Sequence, residues 1–296
     1  MKLVSKIKSK LENNWFFGPK IYKFTQPETF CVLRKTFALK DIHKGKRCFI
    51  IANGPSINKQ DLTLLKNEFT FTVNQFARRD DSPIVKSKFH FWADKSFFDL
   101  DLSKAEDVEL LNVVKKIKED SPNVKCFFPT YLMEKLSKYN LDKDLDCYLL
   151  PPDCFFQNFI AKKRKETLKH KHVLYGDTVV HFCILTAIYM GFSEIYLLGC
   201  DNTFIVSYIQ SMFGGEVADF GYGYKISQNE QKRLKKQNTN RTFEQHLRST
   251  LKTFEEYRAI NDFCNDCNIK LINCSAETTI ESIPKLDYNS ITFKGV

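Results

Sequence analysis

Several short segments place polar side chains where apolar runs stop, which is where a folded chain can present them to a ligand. Ala52-Asn53-Gly54-Pro55-Ser56 follows one such run. Gly54 permits a tight turn beside a bound group, Pro55 stiffens it, and the Ser56 hydroxyl can cap a following helix or reach a phosphate. One glycine, with no Lys-Ser/Thr pair behind it, makes this neither a Walker loop nor a GxGxxG fingerprint, and a plain tight turn reads as well from the same residues. Asn74, in Val73-Asn74-Gln75-Phe76, carries an amide that both donates and accepts, as a base edge or a ribose requires. Asp94, closing Phe91-Trp92-Ala93-Asp94, can hold a ribose hydroxyl, hold a metal, or cap a turn. Tyr175-Gly176-Asp177-Thr178 opens a strongly apolar helix, so Asp177 or Thr178 is an N-cap and the helix start offers its free amides to an anion. Asp201 ends the run Glu194-Ile195-Tyr196-Leu197-Leu198-Gly199-Cys200, a position for capping or ligand binding rather than for core.

His246 stands apart from these turns. It lies in Thr242-Phe243-Glu244-Gln245-His246, near the start of an amphipathic helix and beside an apolar stripe of Phe243, Leu247, Thr250, Phe254 and Tyr257. An imidazole titrates near neutral pH and suits a general base, while the pattern alone reads equally as a structural or exposed histidine.

The elements that must position these residues are legible as alternation. RCFIIAN (47–53), FTFTVN (69–74), FHFWA (89–93), VKCFF (124–128), CYLL (147–150), EIYLLG (194–199) and IKLINC (269–274) read as strands. VELLNVVKKIKE, DTVVHFCILTAIYMG and TFEQHLRSTLKTFEEYRAINDFCND between them have helical spacing. Strands apolar on both faces, separated by helices, predict an α/β fold of Rossmann-like, doubly wound type with a mostly parallel sheet, whose ligands bind beyond the carboxyl ends of the strands. The expected organisation is a basic N-terminal extension over 1–46 and a nucleotide-binding domain over 47–296. The stretch 203–242 lacks clear spacing until its basic part, and it reads as a lid or a surface loop.

Composition bounds the rest. The chain has 296 residues, 43% of them hydrophobic, with 27 Phe, which fits a packed globular protein. No run approaches the roughly 18 apolar residues of a spanning helix and the start lacks a signal-peptide core, so a cytoplasmic protein is expected. Ten cysteines at irregular spacing, several inside apolar runs, read as reduced core residues, and the lone Cys264/Cys267 pair is not a metal site. Net charge is +10, and residues 1–47 hold twelve Lys or Arg against Glu12, Glu28 and Asp41. With Leu3, Ile7, Leu11, Trp15, Phe16 and Phe17, this leader suits either peripheral contact with an anionic membrane or simple packing against the domain. The body shows no basic face or motif for nucleic acid.

NGPS after the first strand, NQF after the second, the aromatic strand ending FWAD, and a helix followed by GFSEIYLLGCD together resemble the bacterial lipooligosaccharide sialyltransferases. They are also similar to the wider superfamily of MptE-like pterin diphosphokinases and flagellin-associated glycosyltransferases. The resemblance spans roughly residues 47–280 as short motifs whose combination is specific. It implies a glycosyltransferase using a CMP-activated sugar donor, inverting and without a metal or other cofactor, acting on a glycan or glycolipid acceptor of lipopolysaccharide or capsule at the inner membrane face. Asn53, Gly54, Ser56 and Asn74 would contact the nucleotide, Thr178 the phosphate or sugar carboxylate, and Asp201 the cytidine, with His246 as general base. Where those enzymes have tyrosines soon after the Asp, this chain has Asn202, Thr203 and Phe204; Tyr208, Tyr222 or Tyr224 would stand in, with Lys232, Arg233, Lys235 and Lys236 supplying lid charge. The other readings are an ATP diphosphokinase holding magnesium on Asp94, Asp177 or Asp201, and a non-catalytic nucleotide-binding module.

Overall fold

The computed structural model describes residues 34–36, 38–150, 178–212, 221–238 and 242–293. Seven strands form one sheet: β1 (Arg47–Ile51), β2 (Thr70–Val73), β3 (Phe89–Phe91), β4 (Lys125–Pro129), β5 (Asp146–Leu150), β6 (Glu194–Leu198) and β7 (Lys270–Asn273). Their order is β5-β4-β3-β2-β1-β6-β7 and every pairing is parallel. All seven strands expected from the sequence are present, and the fold is the doubly wound α/β type.

Among the described residues, five helices of nine or more residues cover the sheet or border its carboxyl ends: α1 (Ala105–Asp120), α2 (Val179–Tyr189), α3 (Phe204–Met212), α4 (Gln228–Asn238) and α5 (Phe243–Asp266). The two faces of the sheet explain why the strands are apolar throughout. In β1, Cys48 and Ile50 point into a core shared with α2 and α5, while Phe49 and Ile51 point into another beneath the 3-10 turns that follow β1. In β4, Phe127 joins the first core, and Cys126 and Phe128 pack against α1. A parallel sheet covered on both faces leaves no solvent side for alternation to mark.

α2 is buried from Val180 through Tyr189, lying between the sheet and α5, so its sequence is apolar all round. Its Phe182 is fully buried and meets Phe91 edge to face at 5.4 Å. α5, 24 residues long, starts with a capping box in which the Thr242 hydroxyl accepts from Gln245 N and the Gln245 side chain accepts from Thr242 N. Its buried line runs through His246, Thr253, Tyr257 and Ile260, so the stripe expected to face the core is rotated: Leu247 is exposed. Leu251, one turn further on, is also exposed.

One other expectation changes. The stretch 203–242 contains two helices, α3 and α4, among its described residues. FIVSYIQSM has neither Gly nor Pro and supports helical spacing; the Gly-, Tyr- and Asn-rich residues after it mask that signal. The described part of the basic leader, from Arg34, packs against the domain, one of the two arrangements its sequence suits. The Thr36 hydroxyl donates to Leu149 O at 2.8 Å, Leu39 is buried, and His43 sits among the rings of Phe69, Phe89 and Phe192. The residues expected to touch a membrane before Arg34 lie outside the described residues. Among the described residues no helix is long and apolar enough to cross a membrane, and the eight described cysteines, Cys264 and Cys267 included, are free thiols.

Candidate functional site

Strand order reverses at β1: the chain leaves it toward β2 and returns on the other side through β6, opening a crevice at the strands' carboxyl ends. A cleft of about 340 Å3 occupies that crevice. It is lined by Ala52–Pro55, Val73–Gln75, Phe97, Thr178–Val180, Gly199–Phe204, Gly221, Tyr222, Tyr224 and Tyr257.

The sheet side of the cleft is held by short hydrogen bonds between the loops that leave β1, β2 and β6. Gly54 N donates to Gly199 O at 2.9 Å, and a Cβ at Gly54 would stand 2.5 Å from both Gly199 O and Asp201 Cγ, so only glycine fits. Ser56, expected as a cap or phosphate ligand, is instead buried and donates through its N (2.8 Å) and hydroxyl to the Asp201 carboxylate. That pair staples the β1 loop to the β6 loop. Burial raises the Asp201 carboxyl above its ordinary range, partly offset by the two Ser56 hydrogen bonds. Asn53 Nδ2 donates to Val73 O at 2.9 Å, tying the β1 loop to β2.

Three amides line this cleft with one polar end unmatched. Asn53 Oδ1, Asn74 Oδ1 and Asn202 Nδ2 are buried and have no hydrogen-bond partner among the described residues. Asn74 and Asn202 adopt left-handed backbone, φ 49° and 54°, a conformation asparagine tolerates better than most residues. Buried polar ends without partners are uncommon and mark places where a polar ligand fits. Thr178 is the N-cap of α2, its hydroxyl accepting from His181 N at 3.2 Å, and Val179 and Val180 beside it bring the positive end of an 11-residue helix to the cleft wall. The described lining contains no Lys, Arg or His, so helix amides and hydroxyl groups are what it offers an anion.

The opposite wall comes from the stretch expected as a lid. Gly223 N donates to Asn53 O at 2.8 Å, and Gly223 lies so close to Ile57 that a Cβ would approach its side chain to 2.2 Å. Tyr222 and Tyr224 stack at 5.1 Å, and burial pushes both phenols up. This strap is anchored by Arg79, which donates to Gly223 O, Asn58 and Asp81. Behind it, the fully buried Glu230 of α4 accepts from Gln75 Nε2 and from Arg233 Nε (2.8 Å) and Nη2 (2.6 Å), with Arg78 Nη2 at 3.5 Å. Arg78 also pairs with Glu109 of α1, which accepts from Ser227 and Asn229. Arg233, expected to offer free charge, is therefore engaged, and its guanidinium lies over the Phe97 ring. Lys232 is exposed.

The remaining expected residues divide. Asp94 is exposed, caps the turn Lys95–Phe98 by accepting from Ser96 N, and is not part of the cleft lining. Asp177 lies outside the described residues. Of the carboxylates named for magnesium in the diphosphokinase reading, Asp201 is engaged by Ser56. His246 is buried against Phe204 (5.4 Å) and Tyr208 (4.2 Å), and is likewise outside the lining, although Phe204 touches both. Sequence reasoning misses Tyr257, which it assigns to the apolar stripe; the residue lines the cleft, hydrogen-bonds Thr178 and has its phenol pushed well up by burial. It also misses Gln75, Arg78, Glu109 and Glu230. The available signal is the lone acid in KISQNEQKRLKK, with an Arg-Arg pair just after β2.

No protein-family model and no curated protein matches the chain. Among solved structures it is similar to the sialyltransferase CstII from Campylobacter jejuni in complex with cytidine-5'-monophosphate, with TM-score 0.46, 20% identity and coverage of 84% of this chain and 88% of that one. A second CstII structure, with CMP-3FNeuAc, gives TM-score 0.42 and 19% identity over 81% and 85%. The MAf glycosyltransferase from Magnetospirillum magneticum AMB-1 gives TM-score 0.47 and 14% identity, covering 89% of this chain and 39% of that one.

Proposed function

We propose that the chain is a glycosyltransferase that binds a CMP-activated sugar in the cleft between β1, β2 and β6. The observation carrying this reading is the convergence of Asn53, Gly54, Asn74, Thr178 and Asp201, the residues of the sialyltransferase-like motifs, on one cleft at the switch point of the sheet. The unmatched amide ends of Asn53, Asn74 and Asn202 suit the mixed donors and acceptors of a cytosine ring and a ribose. The start of α2 at Thr178 suits the donor's phosphate or a sugar carboxylate. Ser56 and Asp201 act on the nucleotide indirectly, by fixing the two loops against each other.

In this reading the acceptor is a glycan or glycolipid of the cell surface, whose hydroxyl attacks the anomeric carbon as the nucleotide phosphate departs. His246 is the proposed base. It would take the hydroxyl proton once Phe204, which touches both its ring and the cleft, moves aside, and the transfer would invert the anomeric centre without a metal.

The test is a thermal-shift screen of CMP, CDP, UDP, GDP, ADP and ATP with magnesium or with EDTA. Selective stabilisation by CMP in EDTA is expected. A magnesium-dependent preference for ATP would replace the transferase with a diphosphokinase. His246→Ala is expected to keep CMP binding and lose transfer; undiminished transfer would remove the histidine from the mechanism.

A further inference from the structure

Two buried groups at the cleft wall have no part in the reading above: the phenol of Tyr257 and the His181–Glu256 pair behind it. Tyr257, on α5, is 3% exposed, lines the cleft and hydrogen-bonds the Thr178 side chain. His181, in the first turn of α2, stands edge to face against the Tyr257 ring at 4.2 Å. Its Nδ1 lies 2.9 Å from the Glu256 carboxylate, with both side chains buried, and Lys252 Nζ is 3.6 Å from the other carboxylate oxygen. The pair ties α5 to the first turn of α2, so the Tyr257 ring is held against the residue it bonds.

A threonine hydroxyl has two lone pairs and one hydrogen to place. At Thr178, His181 N takes one lone pair at 3.2 Å, which is the cap of α2. Burial pushes the Tyr257 phenol well up, so it keeps its hydrogen, and Thr178 is the hydroxyl that it meets. A bond donated by Tyr257 takes the second lone pair and leaves the Thr178 hydrogen for a third group. Val179 and Val180, whose amides have no partner inside the helix, line the cleft beside it. No Lys, Arg or His belongs to the described lining, so one well-placed hydroxyl matters to an anion there. Independently, Asn53 in the same lining is only 9% exposed and its Oδ1 has no hydrogen-bond partner among the described residues, which marks the cleft as built for a polar ligand.

We propose that Tyr257 is a positioning residue for the nucleotide's phosphate. Its hydroxyl donates to Thr178 Oγ, and the Thr178 hydrogen, turned into the cleft, donates to a phosphate oxygen beside the first amides of α2. The inference rests on the nucleotide reading for its ligand, and adds the residue that acts through Thr178. A hydroxyl fixed before the ligand arrives loses no rotational freedom on binding it. With phenylalanine at 257 the Thr178 hydroxyl is free to turn.

The experiment is calorimetric titration of CMP and of cytidine into wild type, Tyr257→Phe, Thr178→Val and the double variant. The readout is the preference for CMP over cytidine, which a role in packing alone would leave in place. Tyr257→Phe is expected to lower that preference about tenfold with cytidine affinity unchanged, and to lower it no further in the Thr178→Val background, because the two hydroxyls act as one. Equal weakening of CMP and cytidine, an unaltered preference, or losses that add in the double variant would each overturn the proposal. A wild type that binds neither compound would sink the cytidine reading by itself. The comparison then passes to inorganic phosphate in a thermal-shift assay, where weaker stabilisation of Tyr257→Phe than of wild type upholds the role of Tyr257, and equal stabilisation or none overturns it.

Discussion

The two walls of the cleft are built by different physics. On the sheet side, short contacts between the strand-end loops do the positioning: Gly54 N on Gly199 O, the Asn53 side-chain amide on Val73 O, and Ser56 clasping the Asp201 carboxylate. On the lid side, charged side chains do it: Glu230 gathers Gln75, Arg78 and Arg233, and Arg78 carries the tie on to Glu109. Those contacts join loops that leave neighbouring paired strands, β1, β2 and β6. A wall of buried ions depends on every partner being present, because a charge left alone away from water is far costlier than the pair. The lid side is thus the wall that can be loosened without unmaking the sheet.

Removing the hub gives the largest expected effect. Glu230→Ala leaves Arg78 and Arg233 without their shared carboxylate and should cost about 3–5 kcal/mol of lid-wall stability. Hydrogen exchange should rise across 221–238 while β1, β2 and β6 stay protected. Equal loss of protection in the strands would show that the walls are one cooperative unit.

Acid probes the sheet side. Burial lowers the His90 imidazole from its usual 6.5 to about 3; the ring lies beneath Asn74, whose backbone hydrogen bond acts weakly the other way. In the unfolded chain this histidine binds a proton near pH 6.5, whereas the folded form resists until about pH 3. Its contribution is therefore complete above pH 6.5 and lost as pH falls through that window, on the order of 5 kcal/mol in all. His90→Gln should flatten the acid limb of urea-unfolding stability measured from pH 7 to pH 4, and an unchanged limb would assign it to other groups. Gly54→Ala should cost about 3 kcal/mol or less, through the clash with Gly199 O and Asp201, and lower nucleotide affinity as well. Calorimetry showing unaltered affinity would mean the β1 loop can shift freely.

The same contrast explains what the sequence reveals. Runs such as RCFII and EIYLL announce buried parallel strands, and polar residues at their ends announce the crevice, so Asn53, Asn74, Thr178 and Asp201 are legible without any geometry. Local sequence narrows the α2 cap to Asp177 or Thr178, and the structure shows Thr178 in that place. It cannot show that the Ser56 hydroxyl is spent on Asp201, 145 residues away, or that Gln75 meets Glu230 across 155 residues. Each residue alone reads as an ordinary polar or charged surface position. Asp94 is open from spacing for another reason: a turn cap and a ligand look alike in sequence, and the structure shows the local hydrogen bond from Ser96 N. α3 is hidden by its neighbours' composition, and the direction of α5's apolar stripe is misleading because a helix packed through His246, Tyr257 and Ile260 turns Leu247 outward.

The central claim, that the switch-point cleft is a cytidine nucleotide site, is tested most directly by calorimetric titration of CMP in EDTA into wild type and Asn74→Gly. The glycine keeps the left-handed backbone at this position and removes only the amide. Metal-free CMP binding, weakened about tenfold or more in the variant, is the predicted result. No binding of CMP, or identical affinity in the two proteins, would contradict it.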